Sequence, residues 1–325
     1  MRTYIIRRVL QVVPTVLMIS LVVFVMMRSV PGDPVVSLLG DAYTEEDAAR
    51  ARAEFGFDRP LIVQYVIWLG KLLRGDWGTS ILSGQPVLKE VLMRLPVTLE
   101  LIVLAMGVAL LIATPAGIIG ATRQNRWQDY TATSGALLGV SIPEFFLGLL
   151  LLLLFSVAFK GLLPSSGWVY LPGTCPSVVC QASLWGNLKH VLLPAIALGV
   201  GRAAILTRLL RASMLEVIRT EYVTTARAKG VAEWRVVLKH GLKNALVPTV
   251  TVMGLQISFL IGGAIVIETL FALPGLGSFG IDAIFARDYQ QVQGFALLTA
   301  TAFVVMNLAV DMTYTFLDPR IRYRK

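Results

Sequence analysis

Six apolar runs, each long enough to cross a lipid bilayer, constrain this 325-residue chain more than any other feature. They fall at approximately Val9–Met27, Leu99–Ala121, Ser134–Phe159, Val191–Leu210, Leu246–Leu270 and Phe295–Phe316. A helix needs about 20 mostly apolar residues to span the hydrocarbon, where no water satisfies an exposed N–H or C=O. Hydrophobic residues make up 56% of the chain and charged residues 15%, more apolar surface than a soluble domain of this size needs. The alternating pattern of barrel strands is missing. The predicted class is an all-α, polytopic membrane protein with about six transmembrane helices.

The net charge of +9 sorts by loop. Arg2, Arg7 and Arg8 precede the first run, and Arg123 and Arg126 lie between the second and third. Arg219, Arg227, Lys229, Arg235, Lys239 and Lys243 lie between the fourth and fifth, and Arg320, Arg322, Arg324 and Lys325 follow the sixth. All of these positions share one side, which the positive-inside rule makes cytoplasmic, with both termini inside. Membrane lipid, not nucleic acid, is thus the partner that the charge implies. The first run exceeds the 7–15 apolar residues of a cleavable signal and no small-x-small site follows, so it is read as a retained span.

The chain divides into a tail and first span (1–30), an external helical subdomain (31–98) and a five-helix part (99–325) with a cytoplasmic loop at 213–245. In the external part, Thr44 and Asp47 form a capping pair for a helix ending near Gly56. A second amphipathic helix is predicted over Leu61–Leu73, stopping before Gly75-Asp76-Trp77-Gly78. Cys175 and Cys180 share an external loop and could close a small disulfide in an oxidising compartment, or stay two free thiols. A metal site is not expected, since only His190 is near and structural zinc takes four ligands.

Catalytic motifs are missing. None of the lysines is followed by Ser or Thr, so no Walker A sequence can form, and neither GxSxG nor HExxH occurs. The chain is read as non-enzymatic. Glu144, after Pro143 in the third run, and Arg202, in the inner half of the fourth, are ionisable groups at membrane depth. Each should face the bundle interior or a pore, as a gating group or as a structural pair. Glu268 and Asp311 lie nearer the interfaces, where solvation would explain them. In Leu273-Pro274-Gly275-Leu276-Gly277, Pro274 and Gly275 suit the centre of a type II turn, with Gly275 at positive φ. A short helix over Ser278–Ala286 would follow at a pore mouth. Pro143, Glu144, Arg202, Glu268, Pro274 and Gly275 are therefore the pore or gate candidates.

The strongest signal is the loop from Tyr222 to Pro248. Tyr222, Ala226 and Gly230 fall on one helical face, and the small Ala226, Ala228 and Gly230 allow another backbone to come close. Gly230 suits a helix C-terminus. Glu233 then opens a second helix in which His240 and Asn244, four apart, share a face.

Here the chain resembles the permease subunits of ABC importers in the dipeptide, oligopeptide, glutathione and nickel group. The resemblance rests on Thr225-Ala226-Arg227-Ala228-Lys229-Gly230 and on Val237-Leu238-Lys239-His240-Gly241-Leu242-Lys243-Asn244-Ala245-Leu246-Val247-Pro248. Tyr4–Pro14, Val30-Pro31-Gly32-Asp33-Pro34, Gly75-Asp76-Trp77-Gly78-Thr79-Ser80, Pro274-Gly275-Leu276-Gly277 and Asp318-Pro319 extend it over nearly the whole length. Thr224-Thr225-Ala226 stands where the general importer signature has Glu-Ala-Ala, and Pro248 comes later than that signature expects, as is common in the peptide branch.

The resemblance implies an ABC importer type I permease fold in the inner membrane of a bacterium or archaeon. It implies a coupling helix at about Tyr222–Trp234, carrying Thr224, Thr225, Ala226, Arg227, Ala228, Lys229 and Gly230, with His240, Asn244 and Pro248 behind it. The implied partners are a second homologous permease, two ATP-binding subunits and an external substrate-binding protein. ATP and Mg would be bound by those subunits, and this chain would carry no cofactor. The alternative, an ion- or proton-coupled secondary transporter, draws on Glu144 and Arg202 but leaves Thr224–Pro248 unexplained. A reporter fused after Lys325 is expected to be active only in the cytoplasm; activity confined to the outside would overturn the topology.

Overall fold

The computed structural model describes residues 2–29, 44–46, 50, 58–80, 82–174 and 182–317. Its helices are α1 (Arg2–Ser29), α2 (Leu61–Leu73), α3 (Val87–Thr122), α4 (Trp127–Ser141), α5 (Glu144–Val157), α6 (Leu184–Ile218) and α7 (Glu221–Ala228). A single turn, Glu233–Arg235, leads through a π-helical segment, Val236–Leu242, into α8 (Lys243–Gly263). Then come α9 (Ile265–Leu270), α10 (Leu276–Phe285) and α11 (Tyr289–Leu317). Among the described residues the only β pairings are isolated bridges, Thr79 with Pro86 and Tyr170 with Ala182.

Among the described residues, five helical stretches are long and apolar enough to cross a membrane: α1, α3, α6, the run from Glu233 to Gly262, and α11. The sixth is α4 and α5 taken together, bent by 96°. The span predicted over Ser134–Phe159, with a kink at Pro143, is therefore two helices. Pro143 carries no N–H and disfavours helical geometry in the residue before it. Ile142 (φ −87°, ψ 118°) and Pro143 (φ −59°, ψ 138°) are accordingly extended.

The centre of the bundle is the α3–α6 pair. Along α3, Ala105, Ala109, Ala113, Gly117 and Ala121 recur every four residues, and all are buried. From α6, Ala195, Gly199 and Ala203 are also buried. A Cβ on Gly199 would lie 2.6 Å from the Ala105 carbonyl oxygen and 2.9 Å from Val108 Cβ. In lipid, helices gain little from shedding apolar surface, so association depends on the close contact that small residues permit. Leu260 and Ile261 of α8, Ala264 at the α8–α9 join, Ile267 of α9, and Phe271 complete this core.

The predicted Leu61–Leu73 helix is α2, with those bounds. It rests on α1, where the Tyr65 hydroxyl lies 2.8 Å from Ser20 Oγ and Phe24 meets both Tyr65 and Trp68 at 5.5 Å between ring centres. The Gly75-Asp76-Trp77-Gly78-Thr79-Ser80 stretch tucks under the start of α11. Gly75 and Gly78 adopt φ of 85° and 82°, Trp77 packs beside Val87 and Phe279, and Ser80 Oγ donates to the buried Asp288 carboxylate at 2.7 Å. Helix α3 begins at Val87, so the division expected at residue 98 falls within a continuous helix, and α6 runs on to Ile218, past the expected loop start at 213. Most of the predicted helix from Thr44 to Gly56, the Val30–Pro34 motif, Cys175, Cys180 and the tail from Asp318 lie outside the described residues.

Gly199→Val should destabilise the protein by about 1–3 kcal/mol or more through overpacking, read as a lower unfolding midpoint in detergent. Gly107→Ala on the same helix pair meets nothing within 4 Å and should leave the midpoint unchanged.

Candidate functional site

Helix α7 stands at the end of the bundle where the basic residues gather. Val223 and Ala226, three apart, are buried against Val236, with Val217 and Val231 around them. Its C-terminus closes in a Schellman motif: Val231 N–H donates to Ala226 O at 3.3 Å and Gly230 N–H to Arg227 O at 2.9 Å. Gly230 takes φ 75°, the positive value expected of it. A Cβ there would meet nothing within 4 Å, so within this chain glycine answers to the backbone angle and not to crowding.

The opposite end of α7 is tied to α8 through one hydroxyl. Tyr222 Oη donates to the His240 carbonyl at 3.0 Å and accepts from Asn244 Nδ2 at 2.6 Å. His240 lies in the π segment, so the second helix expected from Glu233 is α-helical over Glu233–Arg235 and again from Lys243. Tyr222, His240 and Asn244, all named from the sequence for the coupling element, are joined to one another by these bonds. Pro248 sits inside α8 and cannot donate to the carbonyl of Asn244. Arg227 reaches Glu233 through two bonds, 2.8 and 3.2 Å, and the paired carboxylate raises the guanidinium's hold on its proton.

Ala226 was expected on an outward face with Gly230, and this is corrected. It is buried, because Val223 and Ala226 are the apolar positions that α7 turns to the bundle. What α7 and its C-cap leave outward is Glu221, Tyr222, Thr224, Thr225, Arg227, Ala228 and Lys229. Trp234, 62% exposed with the Arg235 guanidinium 5.1 Å from its ring centre, extends the surface.

A nearby clamp escaped the sequence reading. Asp129, buried at the start of α4, takes two bonds from Arg211 of α6 at 2.6 and 2.7 Å, and a third from Asn125 N–H at 3.0 Å. Gly120 makes room for it; a Cβ there would lie 3.1 Å from Arg211 Cδ. The only signal in the sequence was one acidic group among the arginines of that loop.

The pore candidates separate into two groups. Pro143 forms the α4–α5 break, and Glu144 Oε1 lies 3.0 Å from Arg202 Nη2, while Arg202 Nη1 donates to Gln256 Oε1 at 2.8 Å. Two candidates named separately are thus one pair joining α5, α6 and α8. Glu268 is different, and its expected solvation is corrected: it is fully buried. Its carboxylate accepts from Thr98 Oγ1 at 2.6 Å and from Ser278 N–H at 3.0 Å, while Thr98 Oγ1 accepts from Leu276 N–H at 2.8 Å. The Thr98 hydroxyl of α3 and a backbone N–H at the start of α10 thus give the buried carboxyl group hydrogen-bond partners. The type II turn is also corrected. Gly275 has φ −93°, and the positive φ falls on Ala272 at 53°. Glycine is needed at 275 because a Cβ would strike the Glu268 carboxylate. The short helix expected over Ser278–Ala286 is α10.

Tyr222→Phe removes both hydroxyl bonds at an exposed site, each worth about 0.5–1.5 kcal/mol. Amide exchange at His240–Asn244 and in α7 should quicken, with exchange in α3 unchanged as the internal reference.

Comparison with known proteins bears on this arrangement. Residues 113–323 match the family described as binding-protein-dependent transport system inner membrane component, and residues 1–102 match its N-terminal counterpart. The chain is 39% identical to the oligopeptide transport system permease protein AppB of Bacillus subtilis, over 99% of this chain and 100% of that protein. It is 40% identical to the dipeptide transport system permease protein DppB of Escherichia coli K12, covering both chains fully, and 39% identical to DppB of Alkalihalophilus pseudofirmus over 99% and 100%. A chain whose described residues hold five helices long and apolar enough to cross a membrane and one bent pair, and whose sequence is matched over nearly its whole length, belongs to the family of binding-protein-dependent transport system inner membrane components, the type I permeases of ABC importers.

Proposed function

We propose that this chain is the permease subunit of an ATP-driven importer of di- or oligopeptides and forms half of the solute path. The curated relatives named above, described as oligopeptide and dipeptide transport permeases, support the substrate class. A second permease completes the path, two ATP-binding subunits hold ATP and Mg, and an external binding protein delivers the peptide. The basic loops and both termini lie in the cytoplasm.

The observation that carries the coupling role is the build of α7. It is a short helix beyond the core whose inner residues, Val223 and Ala226, anchor it to the chain while its outer residues remain polar and open. Closure of the ATPase pair pushes on that outer face, and the Tyr222 and Val236 contacts pass the displacement to α8. The chain supplies walls and a lever, and the hydrolysis belongs to its partners.

Three sets of substitutions test the reading in the assembled transporter. Thr225→Glu with Lys229→Glu places two negative charges on the outer face and should abolish ATPase copurification and peptide uptake while the chain still inserts. Gly230→Val meets a left-handed backbone penalty of about 1–2 kcal/mol and should impair coupling, whereas Gly230→Asn, which tolerates that region, should retain it. Arg227→Glu alone also breaks the Glu233 pair, so the swap Arg227→Glu with Glu233→Arg isolates the docking effect. Wild-type uptake by the Thr225→Glu, Lys229→Glu variant would remove α7 from the coupling path.

A further inference from the structure

The Glu144–Arg202 pair is charged, lies within the hydrocarbon zone and is only partly covered by its own chain. From Lys189 to Arg211, α6 rises about 33 Å, close to the hydrocarbon thickness. Arg202 lies about 9 Å along the axis from Arg208 and about 13 Å from Arg211. Yet the side chains of Arg202 and Glu144 keep 18% and 29% of their surface exposed. In the Arg211–Asp129 pair near the basic end the carboxylate keeps only 4% and the guanidinium 27%. A charge open to lipid at this depth is costly, so the open side of the pair must meet water or protein.

The surroundings keep that opening in place. Gly201 leaves space beside the carboxylate, since a Cβ there would lie 3.3 Å from Glu144 Oε1. The 96° break at Pro143 sets Glu144 at the first turn of α5, clear of the α4 backbone. Gln256, buried on α8, holds the guanidinium from behind, and Arg202 Nε has no acceptor among the described residues.

We infer that Glu144 and Arg202 line the aqueous solute path and exchange partners with the charged ends of a passing peptide. This rests on the importer reading above. The peptide ammonium pairs with Glu144 and its carboxylate with the Arg202 guanidinium, while Gln256 keeps the guanidinium in position. The exchange starts and ends with every charge matched, so no lone ion is left at membrane depth. A solute with two free, opposite ends suits the pair better than one of a single sign.

The test uses the full transporter in proteoliposomes, with Cys175 and Cys180 replaced by Ser. A membrane-impermeant, cationic methanethiosulfonate reagent should label a Glu144→Cys variant, and free-ended dipeptide supplied with its binding protein and ATP should slow the labelling. Absence of label in every state, or a rate indifferent to peptide, would overturn the inference. Glu144→Gln gives a second reading: uptake of the dipeptide at fixed concentration should fall about tenfold, the size of one charge-assisted hydrogen bond. Unchanged uptake would count equally against it. If the wild-type complex imports no peptide at all, the importer reading itself fails; if it imports peptide while the labelling result is negative, only the present inference fails.

Discussion

The approach of one helix backbone to another at Gly199 sets the distance between α3 and α6, and the other helices are arranged around that pair. A gap of one methyl group decides it, because lipid tails compete on equal terms with any looser apolar contact. The small residues every four positions along α3 keep the approach close from Ala105 down to Ala121. Helices α4, α5, α8 and α9 then dock on a two-helix surface whose width is already settled.

Polar contacts tie this core at both ends. At the basic end, Arg211 holds Asp129 and with it the entry to α4. At the other end, Glu268 and Thr98 join α9, α3 and the start of α10, and Ser80 with Asp288 brings the residues before α3 against α11. Breaking one member of such a buried set leaves its partner's charge uncompensated, which typically costs more than the intact contact contributes. The bundle is therefore held in the middle by close packing along α3 and α6, and near its two ends by these polar sets.

How much of this could be read from the residues depended on distance along the chain. The spans, the Leu61–Leu73 helix and the positive φ of Gly230 follow from local rules of length, periodicity and capping. Pro143 foretold a kink, though not that it would reach 96°. Pairings between distant positions were out of reach: Glu144 and Arg202 were each recognised as misplaced charges, yet nothing in their spacing joined them. Glu268 was misjudged because its donors come from Thr98 and Ser278, far from it or past a turn of uncertain shape. Gly275 was assigned the right residue type for the wrong reason, conformational freedom in place of space. On α7, Val223 and Ala226 form an apolar pair at helical spacing that marked the buried face, but the run of small residues drew attention outward.

The π segment between Glu233 and α8 has a further meaning for how this element could change over time. A π turn accommodates one residue more than an α turn, and each residue of an α-helix turns the chain by about 100°. Tyr222 meets both the His240 carbonyl and Asn244 in the π register. A chain with one residue fewer there could relax to a plain α-helix, but Asn244 would then swing away from the tyrosine. The join between lever and span is thus encoded in a residue count as much as in residue types, and a single-codon deletion is the smallest genetic step that could re-aim it.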